Sequence, residues 1–371
     1  MSHLLSAIVG LAAALGLAGA VQAQCAYAGG GATISVPGRP FAAVATKDGC
    51  WLFASLGLEG ASSGGVAVLK NEGGRFRLAR VAPLPDEPGG LTLAHDGLTL
   101  IVAAGDSVQF LDVELLKTGA SDPRRPAIPM KGAGAVYVAA GLDDRLVFVS
   151  EEARSRVGVL TLAPGPAVYS GFVPTGRAPV GLALSKDGTR LYATSQVAPT
   201  SAGFARRCKP PRGDGPDRAP GVLAVIDVTR AAKEPAGALV AMAEAGCGPV
   251  RVALSPDGAT AWVTARSDNA LLAFPTAELT GLSARPNVTA TEVGSAPVGV
   301  AARRDGRQVW VANSDRFKGG RGSLSGVSPA GGAQRRVASG KFPRDIAFLP
   351  DGKTLVVAQY DSQALQFVPT D

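Results

Sequence analysis

The side chains of this sequence that are best suited to binding another molecule are basic, and most of them lie in two segments. Residues 197–220 are rich in Pro, Gly and Arg, and residues 314–322 read SDRFKGGRG. Guanidinium and ammonium groups bind carboxylates and phosphates through charge-assisted hydrogen bonds. The candidate ligand-binding residues in these segments are Arg206, Arg207, Lys209, Arg212, Arg316 and Lys318.

Residues for metal-dependent or nucleophilic chemistry are scarce. Beyond the N-terminal apolar segment the only histidine is His95, in the sequence Ala94-His95-Asp96-Gly97, which favours a turn residue over a general base or a metal ligand. No Cys-x-x-Cys-His is present, so a c-type haem is not expected. We therefore predict no catalytic residue, no metal ligand and no cofactor; a calcium ion held by carboxylates stays open, without identified ligands.

The basic segments interrupt a β-strand pattern that is clearest over residues 248–274, GPVRVALSPDGATAWVTARSDNALLAF. Three strands are predicted there, at Val250–Leu254, Ala261–Ala265 and Ala270–Phe274. The turn at residues 255–258 contains Pro-Asp-Gly, in which Pro presets φ and Gly accepts a positive φ. Such a unit buries only one face, so it needs neighbours.

Similar units recur along the chain, for example LALSKDGTRLYATS after Gly181 and VAARRDGRQVWVANS after Gly299. Successive turn aspartates are 48, 47, 44, 70, 48 and 46 residues apart. This period predicts an all-β fold over residues 24–371, a seven-bladed β-propeller of four-stranded antiparallel blades. The longest gap is one period plus the insertion at residues 197–220. The turn aspartates are Asp48, Asp96, Asp143, Asp187, Asp257, Asp305 and Asp351.

The two ends of the repeat region are predicted to share the last blade. Residues 31–36 (GATISV) form a lone strand before the first repeat, and the last repeat, which ends at Val368, has only three strands. If the lone strand is the outer strand of blade seven, the ring closes and an exposed sheet edge is removed.

The repeats PVGLALSKDGTRLYATS and PVGVAARRDGRQVWVANS resemble the YVTN-type repeat of periplasmic, YncE-like seven-bladed propellers. The resemblance extends over about residues 31–368, and the wider group is similar to propeller lactonases and to the d1-haem domain of nitrite reductases. It implies the propeller architecture. It says little about activity, because propellers carry many unrelated functions.

Both basic segments are predicted to lie on one face of the ring. In a four-stranded meander, the connection between strands two and three opens on the same face as the link into the next blade, and both segments are such connections. Cys208 and Cys247 lie on this face, whereas Cys25 and Cys50 lie on the opposite one. Of the three possible pairings this arrangement favours Cys208–Cys247 and Cys25–Cys50, with free thiols as the alternative.

Two charged residues occupy positions that small residues hold in the other blades. Two residues after the start of each repeat, where the innermost strand begins, blades five and seven carry Arg251 and Asp345. One interpretation is that both bind a ligand at the axis; the other is a structural ion pair, or solvated charges in a wet channel. The small residues of the other blades are Ala42, Gly90, Ala135, Gly181 and Gly299.

Residues 1–23 are predicted to be a signal peptide. The apolar run from Leu4 to Val21 ends in Val21-Gln22-Ala23, a cleavage-site pattern, although no Lys or Arg precedes the run. A membrane helix is the alternative, because the run approaches the spanning length. We expect a periplasmic or secreted monomer with no membrane span in the mature chain. The formal net charge of +7 is scattered, so anionic partners are favoured but specific nucleic-acid binding is not.

The sequence favours an exported, non-catalytic propeller that binds a protein or an anionic small molecule on its insertion-bearing face. The alternative is a lactonase-type hydrolase that acts at the channel mouth, which requires a cluster of Asp, Glu and Asn around the axis. A redox accessory domain with a non-covalent cofactor is a third hypothesis, disfavoured by the scarcity of His.

Overall fold

The computed structural model describes residues 25–58, 63–162, 166–209, 217–331 and 334–371. The chain forms seven sheets in a ring, which confirms the predicted all-β, seven-bladed propeller. The first strands of successive blades contact one another all the way round, so these strands line the axis. The predicted signal peptide lies outside the described residues.

Strand β1 (Thr33–Ser35) precedes the blades and pairs into the last of them. Blade one contains β2 (Arg39–Ala45), β3 (Trp51–Gly57), β4 (Gly64–Glu72) and β5 (Arg75–Leu84). Blade two contains β6 (Leu91–Leu93), β7 (Thr99–Ala104), β8 (Ser107–Asp112) and β9 (Arg124–Pro129). Blade three contains β10 (Ala135–Ala140), β11 (Leu146–Glu151), β12 (Arg156–Thr161) and β13 (Val168–Pro174).

Blade four contains β14 (Arg177–Leu184), β15 (Arg190–Val197), β16 (Val222–Asp227) and β17 (Leu239–Glu244). Blade five contains β18 (Pro249–Leu254), β19 (Thr260–Ala265), β20 (Ala270–Pro275) and β22 (Thr289–Glu292), and β21 (Gly281–Ala284), between β20 and β22 in sequence, joins the sheet of blade four. Blade six contains β23 (Pro297–Ala302), β24 (Val309–Asn313), β25 (Arg321–Val327) and β26 (Arg335–Lys341). Blade seven contains β27 (Pro343–Phe348), β28 (Thr354–Gln359) and β29 (Ala364–Pro369).

Helical segments are minor in the described part of the chain. Helices α1 (Val113–Thr118) and α2 (Val228–Ala231) follow the third strands of blades two and four. Short 3₁₀ turns lie at Glu152–Arg154, Thr200–Ala202, Pro235–Gly237, Thr276–Glu278 and Tyr360–Ser362.

The turn between the first and second strands of a blade is held by its aspartate. In blade four, Asp187 Oδ1 accepts the Ser185 hydroxyl at 2.6 Å and the Thr189 backbone N–H at 3.0 Å, and Gly188 has a φ of 72°. The bonds from Ser185 and Thr189 lower the pKa of Asp187 to about 2, so the turn acceptor stays ionised. Asp257 makes equivalent bonds in blade five. This chemistry explains why aspartate marks the repeat.

A buried hydroxyl on the second strand links neighbouring blades. Thr264 Oγ1 accepts the backbone N–H of Arg251 at 3.1 Å and donates to the carbonyl of Val298, in the next blade, at 2.8 Å. The same position, seven residues after the turn aspartate, makes the interblade bond in three other blades, and these bonds fix how adjacent innermost strands lie. The residues are Ser55, Ser150 and Thr194.

The hydrophobic core lies between adjacent blades. In one layer, Leu223 and Val225 of blade four pack with Val252, Val263 and Phe274 of blade five. Each sheet is covered on both faces by its neighbours, so buried strands read as nearly continuous apolar runs. This packing also presents the start of every innermost strand to the axis.

The predicted ring closure is confirmed. Strand β1 pairs antiparallel with β29, with Ile34 opposite Leu365. Just before β1, the Tyr27 ring lies 4.9 Å from the Phe367 ring of blade seven and 5.9 Å from the Phe76 ring of blade one. The N-terminal segment therefore joins the last blade to the first.

Both predicted disulfides are present. The Cα atoms of Cys25 and Cys50 are 4.9 Å apart, and those of Cys208 and Cys247 are 5.6 Å apart. The first bond fixes the segment before β1, and the second fixes the blade-four insertion to the link into blade five.

The sequence did not predict α1, α2 or β21. Helix α1 begins at Val113, because Asp112 accepts the Leu115 backbone N–H and caps the helix. A helix this short shows no 3.6-residue apolar period. Strand β21 lies parallel to β17, with Gly281 opposite Ala241, and covers the outer edge of blade four. Such a contact between blades leaves no local signal.

Candidate functional site

Three rings of side chains line the channel end on the insertion-bearing face. Each ring is defined by its distance in sequence from the turn aspartate: the deep ring lies six residues before it, the collar ring seven before it and the rim ring nine after it. The deep ring consists of Ala42, Gly90, Tyr137, Gly181, Arg251, Gly299 and Asp345. The collar ring consists of Phe41, Gly89, Val136, Val180, Val250, Val298 and Arg344.

The large members of the deep ring meet at the axis. The Tyr137 hydroxyl donates to Asp345 Oδ2 at 2.8 Å, and Arg251 Nε lies 3.5 Å from Asp345 Oδ1. The Arg251 guanidinium carbon lies 4.3 Å from the centre of the Tyr137 ring. We call these three residues the axial triad. Arg251 and Asp345 thus form an ion pair, which is one of the two interpretations given above; ligand binding by these two residues stays a prediction.

Glycines make room for the axial triad. A Cβ on Gly90 would lie 2.1 Å from the Tyr137 ring, and a Cβ on Gly181 would lie 2.8 Å from Arg251 Cα. The glycine of blade six stands in the same relation to Asp345. Large residues in blades three, five and seven thus alternate with small residues in the blades before them.

The deep-ring assignment of Ala135 was wrong. The residue that corresponds to Arg251 in blade three is Tyr137, whose backbone N–H donates to the Ser150 hydroxyl just as that of Arg251 donates to Thr264. Blade three lacks the proline that starts the other repeats, and its first strand has a register shift between Ala135 and Tyr137. Counting back six residues from Asp143 identifies the tyrosine.

Burial dominates the electrostatics of the axial triad. Arg251 is 4% exposed and Asp345 6% exposed. Burial raises the pKa of Asp345 above its usual value, although Arg251 and the Tyr137 hydroxyl oppose this effect. Burial and the Asp345 charge raise the pKa of the Tyr137 hydroxyl. Nε and Nη1 of Arg251 have no hydrogen-bond acceptor among the described residues, so the guanidinium retains unused donors.

A cavity of about 80 Å³, here called the axial cavity, lies at the collar ring. Its cationic side chains are Arg251, Arg266, Arg316 and Arg344, and its carboxylate is Glu152. The remainder of the wall is mainly apolar. It consists of Phe41, Val136, Val180, Val250, Val298 and Phe342, together with Gln196.

Aromatic rings hold two of these arginines. The Arg344 guanidinium carbon lies 3.9 Å from the centre of the Phe41 ring and 4.7 Å from that of Tyr360. The Arg316 carbon lies 4.9 Å from the centre of the Phe342 ring. Burial, followed by the charges of neighbouring arginines, lowers the pKa of Arg344 to about 10. The guanidiniums are therefore held in place while they repel one another.

The rim ring contributes a hydrogen-bonded chain across three blades. Gln196 Nε2 donates to Glu152 Oε1 at 3.0 Å, and Arg266 Nη2 donates to Gln196 Oε1 at 2.7 Å. Arg266 Nε is buried without an acceptor among the described residues. Burial, followed by the charge of Arg316, lowers the pKa of Arg266 to about 10.

A second cavity of about 450 Å³, here called the basin, lies between the two insertions. Arg206, Arg207 and Lys209 of the blade-four insertion line it together with Phe317 and Lys318 of the blade-six insertion. The prediction that both insertions lie on one face is thereby confirmed. Arg266 lines both cavities, so the basin adjoins the axial cavity.

The predicted basic residues differ in whether they form ion pairs and in how exposed they are. Arg206 is ion-paired with Asp268 at 2.9 Å and lies 3.9 Å from Glu244. Asp268 also accepts the backbone N–H of Cys247 at 2.7 Å, so Arg206 helps to anchor the insertion. Lys209 and Lys318 are exposed. Arg212 lies outside the described residues.

The structure also bears on His95, on grouped metal-binding side chains and on membrane-spanning helices. His95 is exposed in its turn, as expected of a turn residue. Within the described residues, no three or more His, Cys, Asp or Glu side chains are grouped so that they could hold a metal ion. No helix in the described part of the chain has the length and apolar character needed to cross a membrane.

Comparison with known proteins supports the fold alone. No protein-family model matches the chain, and no curated protein matches it. Among solved structures, hydrazine synthase of Kuenenia stuttgartiensis superposes with a TM-score of 0.69 at 16% identity, over 92% of this chain and 99% of that one. The β-propeller domain of Cps50 (Swd1) from Myceliophteria thermophila superposes with a TM-score of 0.66 at 14% identity, over 91% of this chain and 97% of that one. A chain of the mitotic checkpoint complex superposes with a TM-score of 0.64 at 15% identity, over 98% of this chain and 99% of that one.

Proposed function

We propose that this protein is an exported, non-catalytic propeller that binds an acidic partner, either a protein surface or a small anion, on its insertion-bearing face. The observation that carries the proposal is the charge of the basin. Five cationic side chains and one carboxylate line it, and further arginines line the adjoining axial cavity. A concave surface of one charge attracts ligands of the opposite charge and speeds their association.

The lactonase alternative receives less support from this mouth of the channel. It requires several Asp, Glu and Asn side chains around the axis, whereas the described residues of the axial cavity are mainly arginine, valine and phenylalanine. Asp345, the carboxylate of the deep ring, already accepts from Tyr137 and faces Arg251. Binding needs only the cationic surface.

Export is supported by two independent features. The chain has two disulfides, which form and persist mainly in oxidising compartments. The apolar N-terminal run with its cleavage-site pattern is typical of a signal peptide. The resemblance of the repeats to YncE-like propellers is consistent with a periplasmic or secreted protein.

The proposal is tested with poly-L-glutamate as an acidic probe at about 20 and 150 mM salt. The basin variant carries Arg207→Ser, Lys209→Ser and Lys318→Ser. The control variant loses the same charge on the opposite face through Arg145→Ser, Lys186→Ser and Arg307→Ser, all exposed turn residues. We expect the basin variant to bind about tenfold more weakly than the control, and all binding to weaken with salt. Equal affinity of the two variants would refute the proposal.

A further inference from the structure

We infer that the axial cavity is a pocket for one oxyanion group, a carboxylate or a phosphate, of a small acidic ligand. This inference deepens the proposed function, because the cavity opens on the same face, but it concerns different residues from those of the basin. The binding donors are Arg316 and Arg344, while Arg251 and Arg266 contribute charge from the wall. The sequence alone identified Arg251 and Arg316 and missed the other two.

The guanidiniums of Arg316 and Arg344 are oriented for this task. Aromatic rings lie close to both of them, Phe342 beside Arg316 and Phe41 beside Arg344. A ring packed on a guanidinium face leaves the in-plane N–H donors at its edge available, and that edge matches the geometry of carboxylate and phosphate oxygens. Within the described residues, neither guanidinium makes a hydrogen bond or an ion pair with another side chain.

The charge around the cavity is unbalanced. Its walls contain four guanidiniums, and Glu152 is the carboxylate among the lining residues. That carboxylate already accepts from Gln196, and Asp345 is occupied by Tyr137 and Arg251. Burial, and after it the charges of nearby arginines such as Arg316 and Arg251, lower the pKa values of Arg266 and Arg344, so the cluster lacks balancing negative charge. A bound oxyanion would supply the missing negative charge.

The dimensions of the cavity limit the ligand. A cavity needs about 10–15 Å³ of such space to hold one water molecule, so a cavity of about 80 Å³ has room for an acid group and a few further atoms. Four collar-ring valines, Val136, Val180, Val250 and Val298, form an apolar wall around the polar edges. The remainder of a larger ligand would have to extend towards the basin, past Arg266.

The inference is tested by calorimetric titration of the mature protein with inorganic phosphate and, separately, with succinate at constant ionic strength. Arg316→Gln alters an exposed insertion residue, and Arg344→Met removes a charge but keeps an apolar stem on Phe41. Arg307→Gln, in the blade-six turn on the opposite face, is the control. We expect saturable one-site binding of at least one anion, weakened at least tenfold by each cavity variant and unchanged in the control. The anion that binds identifies the acid group.

A second readout separates binding from a structural role. Saturating anion should raise the melting temperature of the parent and of the Arg307→Gln control, because a ligand that binds only the folded state stabilises it, and this increase should be lost in Arg344→Met and Arg316→Gln. An increase that is as large in both cavity variants as in the parent would count against the inference. The inference also fails if neither anion binds the parent, or if both cavity variants bind as the control does. Poly-L-glutamate binding that persists in the parent while neither small anion binds would overturn the inference but leave the proposed function standing.

Discussion

At the scale of single residues, Arg251 and Asp345 show how a buried pair depends on its partners. Each charge would be costly to bury alone, and together they lie 3.5 Å apart with the Tyr137 hydroxyl as a second donor to the carboxylate. An acid whose pKa is raised by folding binds its proton more tightly when folded. Its contribution to stability therefore falls as pH rises from about 4 through the folded pKa.

This linkage gives a prediction for Arg251→Met. The substitution removes the charge that lowers the pKa of Asp345, so that pKa rises further. At pH 8 the unpaired carboxylate should cost about 3 kcal/mol of unfolding free energy, and at pH 5 the loss should be smaller, because the acid takes up a proton. Adding Asp345→Asn should recover most of the loss at pH 8. Urea unfolding at both pH values measures these differences. A loss that is equal at both pH values would contradict the account.

Residue-scale prediction from the sequence succeeded where the repeat was intact. Counting two residues from the starting proline of a repeat placed Arg251 and Asp345 at the start of the innermost strand, where the structure has them. Tyr137 was missed because blade three lacks the starting proline that was used for counting. Arg344 replaces the valine found at the same collar position in four blades, and Arg266 occupies a rim position held by Gln196 in blade four. Both signals are visible once all blades are counted from the turn.

At the scale of elements, the two disulfides offer a matched comparison. They enclose loops with sequence separations of 25 and 39 residues, so each should stabilise the fold by about 3–4 kcal/mol in the chain-entropy model. Only Cys208–Cys247 holds an insertion that lines the basin. Stability alone should therefore not distinguish them, but binding should.

We predict that Cys208→Ser with Cys247→Ser lowers both the melting temperature and the affinity for poly-L-glutamate. The paired control, Cys25→Ser with Cys50→Ser, should show a similar thermal loss and keep the parent's affinity. Thermal unfolding and calorimetry on the same samples provide both numbers. If the two double variants lost affinity equally, the insertion's shape would not matter for binding.

The closing strand makes a second element-scale prediction. Deleting residues 25–37 removes β1, the Cys25–Cys50 disulfide and the Tyr27 ring that stacks on Phe367. The edge of blade seven would be exposed, and the melting temperature should fall by about 8 °C or more. The Cys25→Ser, Cys50→Ser variant measures how much of this fall in melting temperature comes from losing the disulfide. A deletion that melts no lower than this variant would mean that β1 contributes nothing to closure.

A strand or helix could be predicted where the sequence pattern that specifies it lies within the element or in the adjoining turn. Strands with an aspartate-glycine turn were placed within one or two residues, as for Ala261–Ala265 against the observed Thr260–Ala265. The contact of β21 with β17 joins segments from different blades, and α1 depends on a single cap, so neither shows a period in the sequence. The arginine cluster was predicted only in part, because its members come from blades five, six and seven and no local pattern joins them.

At the scale of the whole molecule, the ring separates two faces that differ in their loops and in their charge. One face carries the aspartate turns, which are short and similar in every blade. The other carries both insertions, the basin and the axial cavity, so its cationic side chains converge from distant parts of the sequence. A rigid propeller can hold such a surface in place with little loss of entropy when the partner binds.

Hydrogen–deuterium exchange of the mature chain with and without saturating poly-L-glutamate tests this division of faces most directly. We expect slower exchange in residues 203–209, 266–269 and 314–321, the described segments that border the basin and the axial cavity. Exchange should not change in the turns at residues 47–50, 143–146, 257–260 and 305–308. Protection confined to those turns, or bound ligand without protection of the insertions, would contradict the claim that the insertion-bearing face is the binding surface.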